Sequence, residues 1–355
     1  MITSPFLRVS VILLLTFACG SYCSSSAAEI QILVGDRMKA EGGNWNPDQS
    51  PLKEPFGIDF DSKGSMYIVE LTSGRLLKRD PQGKLTELCA KKPKGYAGDG
   101  GPVAEAVFNG PHNCVMAADD QLLIADTWNH VVRQVDLETL IVTTRIGKGG
   151  SGAFAGEGTD SRAASFHDIM SIELNPEKTI LHLADLKNRR IRNVDLKTGI
   201  VTTLCGNGKN GVPQDGSVAS QAPLVDPRGA CSDHRGNTYI LERGGNALRV
   251  VRSDGSVHTV AGTGKKGFRD GDALQAQFGS PKHICCDPAG NVLIADDLNG
   301  AIRQYNPETR QVTTLLGQGH GDKTITLLHP HGVRCHEGKL YILDTYNNRI
   351  FVMPH

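Results

Sequence analysis

"ADTWNHVVRQVD", residues 125–136, is nearly repeated as "ADLKNRRIRNVD" at 184–195, "ADDLNGAIRQYN" at 295–306 and "LDTYNNRIFVMP" at 343–354. Each copy sets an acid at the end of a short apolar run, an Asn three residues later and an Arg in the next apolar run. With the acid as marker, the series is Glu70, Asp126, Asp185, Glu242, Asp296 and Asp344, at steps of 56, 59, 57, 54 and 48 residues. Self-similarity at about 40–50 residues or slightly more marks propeller blades and other arrays.

The fourth unit shows the internal grammar: "RGACSDHRG", "NTYILERGG", "NALRVVRSDG", "SVHTVAGTG". Four short runs rich in Val, Ile, Leu and Thr alternate with Gly, Asn and Asp clusters, which is strand and turn chemistry without a helical period. Four-stranded units repeated radially make a β-propeller. The last unit stops after three runs, "PHGVRCH", "KLYILDTY" and "NRIFVMPH", whereas "EIQILVGD" at 29–36 reads like the fourth run of a unit. Joining both in one blade removes the open seam, whose unpaired backbone would invite aggregation. The expectation is therefore an all-β, six-bladed propeller over 29–355, closed by an N-terminal strand in the last blade.

Within each unit the acid ends the second strand, the Asn is expected to hold the left-handed position of a tight turn, and the Arg lies on the third strand. An acid and an Arg recurring in every blade can pair where strands pack, so an architectural role is expected. A ring of carboxylates around a metal is the weaker reading, because Glu70 and Glu242 would spoil a symmetric cage. The Gly- and Asp-rich stretches "GYAGDGGP" and "GFRDGDAL" lack calcium-loop and phosphate-loop spacing and are read as inter-blade turns.

Residues 1–28 read as a signal peptide, with Arg8 ahead of the apolar run Val9–Ala18 and the small residues Ser26, Ala27 and Ala28 before Glu29. No later segment reaches the ~20 apolar residues of a membrane span. The expectation is an exported protein, secreted or periplasmic, with no transmembrane segment. A lipid anchor on Cys19 or Cys23 is the lesser alternative, since Thr16 stands where such motifs carry Leu. The whole chain holds 38 basic and 38 acidic residues. That balance argues against nucleic acid as a partner, which needs clustered Lys and Arg. Cys89, Cys114, Cys205, Cys231, Cys285, Cys286 and Cys335 follow the leader without zinc-finger spacing and are expected to be mostly buried thiols, with room for one or two disulfides.

"DTWNHVVRQVD", preceded by "NGPHNCVMAADDQLLIAD", together with "GNVLIADDLNGAIRQYN" and "VTTLCGNG", resembles NHL repeats across essentially the whole chain after the leader. The first unit, "GSMYIVELTSGRLLKRD", departs by lacking the Asp, Asn and Arg. The resemblance implies a six-bladed propeller. It also implies relatives of several kinds: protein-binding scaffolds, RNA binders, an exported peptidyl-hydroxyglycine amidating lyase that holds zinc with histidines, and, more distantly, gluconolactonase-type enzymes.

In a propeller the first strand of each blade lines the central channel, and the residues at its start surround the mouth. Here that ring is expected to be Phe56, His112, Asp168, Arg228, Lys282 and His331, with His283 just beyond. Unlike the repeated Asp and Arg, these differ from blade to blade, as a specific site would. Arg228 and Lys282 suit an anionic group, Arg by bidentate geometry and Lys as a point charge. His112 and His331 are the candidate ligands for zinc or another divalent metal, with His283 or Asp168 as substitutes for a third. No catalytic residue is assigned. The leading expectation is non-enzymatic recognition of a protein, peptide or anionic small molecule at the mouth. The alternative is a metal-dependent lyase or hydrolase.

Overall fold

The computed structural model describes residue 1, residues 30–35 and residues 51–355. The expected leader, apart from Met1, lies outside them. Six antiparallel sheets follow one another along the chain. The strand next to the channel is Pro55–Phe60 in blade 1, Pro111–Met116 in blade 2, Ile169–Leu174 in blade 3, Pro227–Ser232 in blade 4, His283–Cys286 in blade 5 and Pro330–His336 in blade 6. Blades 4 and 5 each gain a fifth short strand, Ser217–Val218 and Gly271–Asp272, from the loop that enters the blade. Among the described residues there is no α-helix, and no helix long and apolar enough to cross a membrane.

The expected closure is present. Gln31–Val34 pairs antiparallel with Arg349–Pro354, Gln31 facing Val352 and Val34 facing Ile350. Buried residues gather in wedges between neighbouring blades; Tyr67, Val69 and Leu76 of blade 1, for example, pack on Phe108, Leu122 and Ile124. Each fully buried Leu, Ile or Phe contributes about 1.5–3 kcal/mol, so the ring is held by its seams as well as its sheets.

The repeated acid is the hub of each blade. Its carboxylate accepts a backbone N–H from just ahead of the channel strand, from Lys53, Asn109, His167, Val225, Gly279 and Leu328 to Glu70, Asp126, Asp185, Glu242, Asp296 and Asp344, all at 2.6–2.7 Å. An Arg pairs with it: Arg303 to Asp296 at 2.8 Å, Arg249 to Glu242 at 2.6 Å and Arg349 to Asp344 at 2.8 Å. The inter-blade loops complete the cover. Asp99 and Tyr96 meet Arg133, and Asp270 and Phe268 meet Arg303, so these loop acids are spent on guanidinium groups. Burial pushes the Asp126 and Asp185 carboxyls up to about 6 despite the hydrogen bonds each accepts.

Two details differ from expectation. Asn129, Asn299 and Asn347 do not hold the left-handed position; their amides donate to the acid at 2.8 Å, and the following residues His130, Gly300 and Asn348 take φ of 61°, 54° and 52°. The Asn is thus chosen for its donor rather than its backbone tolerance. Blade 1 also keeps the motif in altered form. Ser73 donates to Glu70 where Asn would, and Arg75, two positions earlier than usual, pairs with Glu70 at 2.6 Å.

Candidate ligand site at the channel mouth

A residue in the left-handed region precedes the channel strand in five blades: Glu54, Gly110, Asp168, Ser280 and His329. It swings the chain from the blade edge into the channel. Strand register then identifies equivalent positions. Pro55, Pro111, Ile169, Pro227 and Pro330 each face the repeated acid of their own blade, and His283 faces Ala295 just as Gly57 faces Val69. The ring is therefore Phe56, His112, Met170, Arg228, Lys282 and His331.

Asp168 does not belong to it. It stands before the strand, its N–H donating to Nδ1 of His130 at 3.0 Å and its carboxylate 3.4 Å from the same nitrogen. Glu54 and Ser280 make the matching seam contact, through their N–H groups, to Asn348 and Asn246. Blade 3 lacks the Pro that marks the start of the other channel strands, and the register slipped there.

The other five expected ring residues do converge, and they close the mouth rather than line an open one. Phe56, His112, Arg228 and His331 are all buried. The Phe56 ring lies 4.8 Å from His112 and 4.4 Å from His331, centroid to centroid. Below it the walls touch: a Cβ on Gly57 would lie 2.7 Å from the Cα of Asn113, and one on Gly332 2.9 Å from the Phe56 carbonyl. His283 bonds the Asn113 amide beneath the ring.

Burial, reinforced by Arg228, holds His112 well below the ordinary histidine range. Burial also pulls His331 down to about 4 and His283 to about 3. All three imidazoles are neutral at pH 7, so the positive charge at the mouth belongs to Arg228 and Lys282. Arg228 makes one long contact, Nη1 to the Met170 carbonyl at 3.4 Å; its Nε has no partner, and among the described residues no carboxylate is within ion-pair distance. Burial and the nearby Arg243 bring its guanidinium down to about 9. Asp226, just ahead of its strand, is taken by Arg243 at 2.7 Å.

Sequence reasoning missed Asp297 and His329. Asp297 occupies the place held by Thr127 and Thr345 in blades 2 and 6, where the hydroxyl donates to a channel-strand carbonyl of the next blade. In blade 5 the carboxylate instead meets His329 Nδ1 at 2.7 Å, His331 Nε2 at 3.1 Å and Lys282 Nζ at 3.5 Å. The signal was legible as "DDLN" against "DTWN" and "DTYN". The candidate ligand atoms of Asp297, His329 and His331 lie within 4.8 Å of one another, and His112 is not among them. The ammonium of Lys282 beside the same carboxylate opposes a cation there.

Comparison with known proteins finds relatives that carry NHL repeats. NHL repeat-containing protein 2 of Gallus gallus is 26% identical over 343 residues, spanning 86% of this chain and 47% of its own. The chain is a six-bladed β-propeller similar to this NHL-repeat protein. It spans less than half the length of the curated relatives it matches. No family model matches it. Among solved structures, this propeller resembles an auxiliary nutrient binding protein from Bacteroides thetaiotaomicron, with TM-score 0.63, 15% identity, and 91% and 75% of the two chains covered. It also resembles a structure of gluconolactonase type, with TM-score 0.56, 10% identity, and 93% and 92% covered. At these identities the structural likeness is one of fold alone.

Proposed function

We propose that this propeller is a non-enzymatic binding protein that takes an anionic group, a carboxylate for preference, over Arg228 and Lys282 at the channel mouth. One observation carries the reading: a buried guanidinium with an unpartnered Nε and no carboxylate in reach. An uncompensated buried charge is costly, and an anion docked against it recovers that cost. Neutral His112 and His331 would donate or accept hydrogen bonds beside the charge. The nutrient-binding neighbour is consistent with such a role. Isothermal calorimetry with acetate, succinate and citrate tests it. One of these is expected to bind, and Arg228→Ala should weaken it by about 1.5–3 kcal/mol, or roughly 10–150-fold. Equal binding by wild type and variant, or none by wild type, overturns the proposal.

The second reading, a metal-dependent lyase or hydrolase, is favoured by the Asp297, His329 and His331 cluster. Lys282 and Arg228 weigh against it, and stoichiometric zinc in the purified protein, lost in His331→Ala, would promote it. Export belongs to the same proposal. The mature protein is expected to begin near Glu29 without lipid, and intact-mass spectrometry showing an acylated Cys19 or Cys23 would place it on a membrane instead.

A further inference from the structure

At the end of the channel away from the mouth, a cavity of about 260 Å³ opens among the last residues of the channel strands, with Cys231, Cys285, Cys286 and Cys335 in its wall. Four of the seven described cysteines thus meet at one place. Cys231 sits on the channel strand of blade 4 and Cys286 on that of blade 5, one blade period apart. Their sulfurs are 2.9 Å apart. That is inside the ~3.5–4.0 Å spacing of ordinary non-bonded heavy atoms and within a short side-chain adjustment of the ~2.05 Å of a disulfide. The two strands belong to different sheets, so no ladder joins them.

We infer that Cys231 and Cys286 are a redox pair, forming a reversible disulfide that staples blade 4 to blade 5 by exchange with a small disulfide entering this cavity. Cys286 is partly exposed and Cys231 buried, which sets the order. Burial, with Cys286 beside it, holds the Cys231 thiol well above its usual range, so Cys286 reacts first. Its sulfur, as thiolate, attacks one sulfur of a disulfide such as oxidised glutathione; the S–S bond breaks, and the departing glutathione thiolate takes up the released proton. Cys231 then gives up its proton, its sulfur attacks Sγ of Cys286 in the mixed disulfide, and a second glutathione leaves as thiol. Two protein thiols are oxidised and one glutathione disulfide is reduced. The staple closes a loop of one blade, which narrows the unfolded ensemble.

The test uses the full chain, reduced and then incubated with oxidised glutathione, blocked with N-ethylmaleimide, unfolded and digested with trypsin. The expected product is peptide 229–235 linked to 283–303 through Cys231 and Cys286, with Cys335 in peptide 335–339 carrying the blocking group. The oxidised protein should melt about 3–6 °C higher than the reduced one. Cys286→Ser and Cys231→Ala should lose both effects, and Cys335→Ser should keep both. Recovery of Cys231 and Cys286 both blocked overturns the inference, as does glutathione left on Cys286, or fragment ions that place the link at Cys285. The wild-type peptide map separates these outcomes even if a variant fails to fold.

Discussion

The two ends of the channel are built from the same kinds of residue and solve the problem of buried charge in opposite ways. At the far end Arg334 of blade 6 meets Glu173 of blade 3 at 2.6 Å and Asp59 of blade 1 at 2.8 Å, and Asp59 also accepts the Met116 N–H of blade 2 at 2.6 Å. Four blades are tied together, and the ion triad is complete. Burial works to lower the Arg334 guanidinium, yet Asp59 and Glu173 hold it well above its usual value. At the mouth Arg228 has one carbonyl and an idle Nε. A satisfied network fixes the fold; an unsatisfied one leaves interaction free energy for something else to claim.

The sharpest way to break this comparison is to remove each guanidinium in turn. Arg334→Ala should cost about 3–4 kcal/mol in urea unfolding, because it strands two buried carboxylates. Arg228→Met should be neutral or stabilise by up to about 1 kcal/mol, since it removes a buried charge that has no acid to pair with. Equal losses would show that the mouth is as structural as the far end.

A smaller effect separates the ends by pH. His331 titrates at about 4 in the fold and at ~6.5 when unfolded. Above pH ~6.5 it is neutral in both states. Between that value and about 4 only the unfolded chain takes up the proton, so stability present at higher pH is lost as the pH falls, at up to about 1.4 kcal/mol per unit. His331→Asn should flatten that slope. Raised carboxyls such as Asp126, at about 6, act in the opposite direction and are common to both proteins, so the difference in slope between wild type and variant is the measurement. Parallel slopes would remove His331 from the account.

What was legible in the sequence follows the range over which each signal acts. Blade number, strand order and the closing role of residues 31–34 rest on local apolar runs and on a period, and both can be read along the chain. The acid–Arg pairing was legible for the same reason. Blade 1 looked like an exception only because a spacing was sought: Arg75 reaches Glu70 from two positions earlier, and the strand geometry accepts either. Asp168 was misplaced because a left-handed residue, invisible in letters, decides where the channel strand begins, and blade 3 has no Pro to mark it. Asp297 could have been found by asking which copy of the motif replaces Thr with an acid. The Cys231–Cys286 approach needed the angle between blades, which no period supplies.

The pairing of Gln31–Val34 with Arg349–Pro354 also has a consequence in time. During synthesis Gln31–Val34 emerges before any of the blades, yet its partner follows all the other described strands. Blades 1 to 5 hold their complete sheets in consecutive stretches and can form as they appear, whereas blade 6 must wait for Gln31–Val34 and Arg349–Pro354 to meet. Contacts this distant in sequence are slow to find, so circularisation is the natural final step of folding. A circular permutant opened between two whole blades would convert that step into an ordinary hairpin.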